Sequence, residues 1–461
     1  MTQAVISPNM CMALAIFSLI VGVVEPNSGV IGQYLVGCYC VYRCRLEYVP
    51  VLFVCHINSR DFEVVSSYVE GIKLNTFSSL RTTDLVLPTF GEISAVLLCA
   101  YIFIVFCFSR ITLGDSKLRI IFLVWVFCVA GGLINSVFSL SEGHYLWSRG
   151  LRAVLTVGCC FYGILLAQRS RITDDMSLVG NSLWLVFIPG LLITLHLFWS
   201  HMVFWLVSIA SILLFVNLKV KNAFLYRLSA IAYLPVSVGS TLTLMLISFG
   251  SFIAAALFMS KTKFFRSIVT KTIIFLIIIG PFISLGVGAF SDSFTFSNNI
   301  SLIDNDNSAS INDRVTYKFA ADRMPLWSEA YKQIIEGDFL FPTSGRVIDL
   351  IYFGQEVEWE YGAHNTYLEI LRNNGLFFGA FLIFIISFLL IKITKSQVKN
   401  STGYRLFAVS LSSMAIVSML FGDFIVDVTI GPLFWTSTGI LIWRFHQLKS
   451  SVVQKNLVMG Q

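Results

Sequence analysis

Apolar runs of about 17 to 24 residues, set apart by short charged clusters, recur through this chain, and each has roughly the length a helix needs to cross hydrocarbon. Transmembrane barrel strands would instead alternate over about ten residues, and no such alternation is present. With 461 residues, 56% hydrophobic content and a mean hydropathy of +0.79, the chain carries more apolar material than one soluble core could hide. Lipid must serve as solvent. The pattern predicts an all-α, polytopic transmembrane helical protein with 12 to 14 spans, at about 4–24, 29–42, 46–57, 88–108, 120–139, 150–167, 182–199, 202–217, 222–238, 240–259, 272–290, 368–391, 404–424 and 427–446. The pair at 29–42 and 46–57 is short, and 222–259 also reads as one broken helix. The first run, "MCMALAIFSLIVGVV", has no basic start and no small-residue cleavage site after it, so it reads as a retained span rather than a signal peptide.

Short-loop lysines and arginines set the expected orientation, because they stay cytoplasmic. Arg43 and Arg45, Arg110 with Lys117 and Arg119, Arg169 and Arg171, Lys219 and Lys221, Lys261 with Lys263 and Arg266, and Lys392 with Lys395 and Lys399 all fall on one side. Both termini then face the cytoplasm, and the stretch 291–367 faces out. Four parts follow: helices over 1–290, a large loop over 291–367, three further helices over 368–446 and a tail over 447–461. Between Ser291 and Asn365 lie 12 acidic and 5 basic residues, leaving 27 basic and 14 acidic in the remainder. A loop of this size is uncommon unless it carries function, and its helical periodicity and aromatics predict a mostly helical fold. The ten cysteines all lie at or before Cys160, mostly inside apolar runs and without zinc or disulfide spacing, and read as small core residues. No internal repeat or inverted symmetry is visible.

Two segments of that loop carry candidate chemistry. In "DRMPLWSEAYKQIIEG", Pro325 suits a first helical turn, and Leu326, Trp327, Ala330, Tyr331 and Ile334 recur at helical spacing. Arg323 therefore lies just before a helix start, where free N–H groups and a guanidinium together suit phosphate. The alternative is an ion pair with Asp322 or another loop carboxylate. In "YGAHNTYLEILRNNGLFFG", Thr366 to Glu369 has the form of a capping box, which would start a span at Thr366 and leave His364 and Asn365 exposed at its mouth. An imidazole there suits a general base, and the alternative is a local capping or packing role. "DND" at Asp304 to Asp306 imitates a metal-binding motif but reads as a turn.

Together "DRMPLWSEA" and "AHNTYLEILRNNGLFFG", with three spans after the loop, resemble the conserved region of the O-antigen polymerase and ligase superfamily of bacterial inner membranes. The resemblance implies glycosyl transfer without metal or other cofactor, at the periplasmic face, from an undecaprenyl-pyrophosphate-linked oligosaccharide. It implies Arg323 and His364 as catalytic residues, with Asp322, Trp327 and Asn365 beside them in the substrate site. Members commonly have a Ser-Arg-small sequence at the end of a mid-chain span; here "PVSVGSTLTL" places Val238 where the Arg is expected. Arg314 or Arg346 then becomes the candidate second cation for the substrate, and polymerase is favoured over ligase. Membrane lipid, a chain-length regulator and a flippase are the partners such a protein implies, with no role for nucleic acid. A transporter is the remaining alternative, although such proteins keep charge inside spans and show repeated halves.

Overall fold

The structure, a computed structural model, describes residues 6–56, 87–108, 113, 115–141, 149–170, 242–260, 262–290, 323–337, 348–352, 355–359, 363–395, 402–422, 425–427 and 431–459. In chain order the described elements are α1 (Pro8–Val24), α2 (Pro26–Arg43), a 3-10 turn (Leu46–Tyr48), α3 (Val49–Cys55), α4 (Phe90–Phe108), α5 (Ser116–Ser141), α6 (Arg149–Arg169), α7 (Leu242–Met259), α8 (Lys263–Phe290), α9 (Met324–Glu336), β1 (Ile348–Tyr352), β2 (Gln355–Trp359), α10 (Thr366–Lys395), α11 (Thr402–Phe421) and α12 (Gly431–Met459). The spans expected at 182–238 lie outside the described residues.

Local chemistry explains the helix starts. Ser7 Oγ accepts from Met10 N at 3.3 Å to cap α1, and Pro8 and Pro26 occupy first-turn positions where no N–H is missed. A full capping box opens α4: Glu92 accepts the Thr89 N–H at 2.6 Å, while Glu92 N donates to Thr89 Oγ1 at 3.4 Å. Six of these helices are long and apolar enough to cross a membrane: Phe90–Phe108, Ser116–Val137, Gly150–Arg169, Lys263–Phe290, Thr366–Lys395 and Gly403–Phe421. The segment expected as a span at 46–57 holds only the 3-10 turn and the seven-residue α3, about 10 Å of helix. α12 runs on to Met459, through residues assigned to the tail.

α6 sits at the centre, with 94% of its apolar stretch buried against α12, α4, α5 and α10. α8 lies at the rim, with only 28% buried, and turns Phe275, Ile278, Phe282 and Phe290 outward, as a lipid-facing helix should. α10 touches α5, α6, α8, α9, α11 and α12, and its first part, Thr366 to Gly375, is buried throughout. Lys392 Nζ meets Asp115 Oδ2 at 2.5 Å, which brings the end of α10 to the start of α5. Leu46 N donates to Ser170 Oγ at 2.8 Å, bringing the chain after α2 to the end of α6. Arg43, Arg45, Lys117, Arg119, Arg169, Lys392 and Lys395 thereby gather at one end of the bundle. The opposite end holds the starts of α6 and α10, together with α9.

The stretch expected to be mostly helical also contains the antiparallel hairpin of β1 and β2, with Ile348 opposite Trp359 and Tyr352 opposite Gln355. The alternation in "QEVEW" and the preceding Gly354 were its signal. β1 packs against α9.

Candidate functional site

α9 begins where the sequence places it. Arg323 occupies the N-cap position with Pro325 in the first turn, and Leu326, Trp327, Ala330 and Ile334 form the buried face. That face packs on α8 and α10. The Arg323 side chain is half-buried, and its guanidinium carbon lies 5.9 Å from the centroid of the Phe421 ring at the end of α11, within cation–π range. Trp327 is buried, and its indole N–H has no hydrogen-bond partner among the described residues.

At the start of α10 the structure corrects the expected cap. Asn365, not Thr366, caps the helix: its Oδ1 accepts from Tyr367 N at 3.1 Å and Leu368 N at 3.2 Å. Its Nδ2 donates to Ser284 Oγ at 3.0 Å and to Leu420 O at 3.1 Å, so Asn365 is 1% exposed rather than standing open at the mouth. Thr366 instead donates its hydroxyl to Gly422 O at 2.9 Å. His364 is half-buried, and its backbone is in the left-handed region at φ 52°, a conformation uncommon outside glycine. That turn lets Ala363 N donate back to Glu369 Oε2 at 3.0 Å, closing the loop onto the helix.

Glu369 anchors a buried polar cluster that the sequence reading passed over. Arg372 Nη2 donates to its two oxygens at 3.0 and 3.1 Å, and Asn373 Nδ2 donates to Oε1 at 2.7 Å. Arg372 Nη1 reaches Gln333 Oε1 of α9 at 3.4 Å, while Arg372 Nε has no partner among the described residues. The cluster ends at Gly375, whose φ of 72° and ψ of 164° break α10 into a short first part and a long apolar second part. The N-terminus of α6 fills the break: a Cβ on Gly150 would lie 2.4 Å from Asn373 O. An Arg three residues after a Glu, at the start of an apolar run, is the signal that could have found this pair.

The starts of α9 and α10 are thus brought together. Arg323 lies over Phe421, and the residues next to His364 bond Leu420 and Gly422, so the starts of α9 and α10 converge on the end of α11. Asp322, Arg314 and Arg346 lie outside the described residues, as does Val238. Among the described residues no three His, Cys, Asp or Glu side chains come together in a group able to hold a metal ion. Chemically, the site offers a guanidinium at a helix start, an imidazole on a strained turn and a rigid charged cluster beneath them.

This fold and site define a helical membrane protein with a buried polar cluster at the start of α10. No protein-family model, curated protein or solved structure matches the chain.

Proposed function

We propose that this protein is a polysaccharide polymerase of the bacterial inner membrane, joining undecaprenyl-pyrophosphate-linked oligosaccharides at the periplasmic face. The observation that carries the reading is the convergence of the Arg323 and His364 helix starts on Leu420 to Gly422. The clustering of basic residues at the opposite end supports an outward-facing site, because short basic loops stay cytoplasmic.

In this reading His364 takes the proton from an acceptor sugar hydroxyl, and the freed oxygen attacks the anomeric carbon of the donor. The bond from that carbon to the pyrophosphate oxygen breaks, and undecaprenyl pyrophosphate leaves with the electron pair. Arg323 grips the phosphate oxygens as their charge develops, with the N–H groups of the first turn of α9 beside it. Trp327, Asp322 and a loop cation, Arg314 or Arg346, contribute to the sugar and phosphate subsites, while Asn365, sealed inside, holds the His364 turn against α8 and α11. The donor is already activated, so positioning and charge stabilisation suffice, and the reaction needs no metal.

Deletion of the gene tests the reading directly. A polymerase deletion leaves a single repeat attached to lipid A core and no ladder. Unsubstituted core with accumulated long lipid-linked polymer would instead assign ligase activity, and an intact ladder would remove the proposal. Reporter fusions at Ser310 and Lys395 test the sidedness, and the same side for both would overturn it.

A further inference from the structure

Among the described residues, the bundle end away from Arg323 and His364 carries more cations than carboxylates. Residues 259–272 contain Lys261, Lys263, Arg266 and Lys271, residues 392–406 contain Lys392, Lys395, Lys399 and Arg405, and neither segment has an Asp or Glu. The two segments meet, because α7 ends at Met259, α8 begins at Lys263, α11 begins at Thr402, and these three helices pack on one another. Lys392 is answered by Asp115. Arg266 and Arg405 form no ion pair with any described carboxylate.

Both guanidiniums are held in place rather than waving in water. Arg266 Nε donates to Ser260 O at 3.2 Å, and the Arg405 guanidinium carbon lies 5.0 Å from the centroid of the buried Phe258 ring. Each side chain is half-buried, and their partners Ser260 and Phe258 lie two residues apart at the end of α7, which brings the two guanidiniums to the same helix end. Holding two cations together at a membrane boundary costs free energy unless an anion bridges them. A phosphate does so well, since each planar guanidinium can grip two oxygens. Around this pair α8 exposes Phe264, Phe265 and Ile268, an apolar surface suited to acyl chains.

We propose that Arg266 and Arg405 form a binding site for the phosphate of an anionic phospholipid, whose acyl chains cover the exposed apolar surface of α8. The ligand is a phosphodiester carrying one negative charge and a hydrophobic tail. The site clamps α8 to α11 from the end opposite the candidate active site, and it does not depend on the polymerase reading.

Native mass spectrometry of the full-length protein in detergent, titrated with dioleoyl phosphatidylglycerol or dioleoyl phosphatidylcholine, tests the proposal. The wild type should retain one phosphatidylglycerol with about tenfold or greater preference over the zwitterionic lipid, and Arg266→Gln/Arg405→Gln should lose about tenfold of that retention. Lys263→Gln/Lys271→Gln removes the same total charge, from α8 alone, and should stay within about twofold of wild type. Equal loss in both double variants, or no preference between the lipids, overturns the site. Displacement of the lipid by millimolar inorganic phosphate overturns the lipid assignment in favour of a soluble phosphate. Should the double arginine variant fail to fold, Arg405→Lys carries the test: it keeps the charge, loses the fork, and should weaken retention by about threefold or more. Unchanged retention in Arg405→Lys then sinks the proposal.

Discussion

Arg372 donates through one nitrogen, Nη2, to both carboxylate oxygens of Glu369, at 3.0 and 3.1 Å, with each side chain almost wholly buried. The pair lies between the His364 turn and the Gly375 break, and Gln333 ties it to α9. It therefore fixes the relative position of the two helix starts that carry the candidate chemistry. Replacing one partner strands the other charge away from water, so Arg372→Met should lower stability by about 3–5 kcal/mol. The Glu369→Gln/Arg372→Gln double variant should cost less than the sum of its singles. Thermal unfolding in detergent, arranged as a double-mutant cycle, measures the coupling; additive losses would show that the pair does not act as a unit.

Gly375 occupies a backbone region that is essentially closed to residues with a Cβ. Gly375→Ala should cost on the order of 1–3 kcal/mol. A lower unfolding midpoint with a normal membrane insertion level is the expected result. An unchanged midpoint would mean that α10 tolerates a continuous helix at this point.

Among the described helices, α6 and α12 approach each other closely in the core. A Cβ on Gly163 would lie 2.0 Å from Thr436 O, and one on Gly439 would lie 1.9 Å from Cys160 O. Neither backbone oxygen can step aside without parting the helices, which is how small residues permit close packing in membranes. Gly163→Ala and Gly439→Ala should each reduce the folded yield several-fold, on the order of 2 kcal/mol or more. Gly403→Ala, where nothing lies within 4 Å, should leave it unchanged.

Asp115 and Lys392 join the basic end of the bundle. Partial burial works to raise the Asp115 carboxyl, but the Lys392 ammonium and the Lys117 backbone N–H outweigh it and hold it below its ordinary 3.8. A depressed carboxyl contributes stability that is fully present above its unfolded value and is lost as pH falls through the folded value. The difference in unfolding midpoint between wild type and Asp115→Asn should be constant from pH 7 to about 5 and shrink below about 4. A difference that grows on acidification would contradict the assignment.

Activity separates the two candidate catalytic groups. Arg323→Lys keeps the charge but loses the planar fork, and should cut polymer formation by about tenfold or more at normal membrane abundance. His364→Ala should do the same through loss of the base, by about a hundredfold. Gel ladders from complemented deletion strains read both. Near-normal ladders would return Arg323 to a cation–π contact with Phe421 and His364 to a turn-forming residue.

The sequence by itself determined the solvent and the position of six long apolar helices. The runs expected at 88–108, 120–139, 150–167, 272–290, 368–391 and 404–424 correspond to α4, α5, α6, α8, α10 and α11, because apolar length is a local property. Pro325 likewise placed Arg323 at a helix start. Tertiary structure decided which polar groups found partners. Thr366 and Glu369 have the spacing of a capping box, yet Thr366 bonds Gly422 and Asn365 caps the helix, because a carbonyl more than 50 residues away in the chain lies within reach. Glu369 and Arg372 became a buried pair only once α9 and the start of α6 closed over them. The hairpin at 348–359 and the convergence of Arg323 and His364 on α11 have the same origin. A polar group removed from water takes whichever partner the packed neighbours present, and those neighbours are set by long-range contacts that no local pattern encodes.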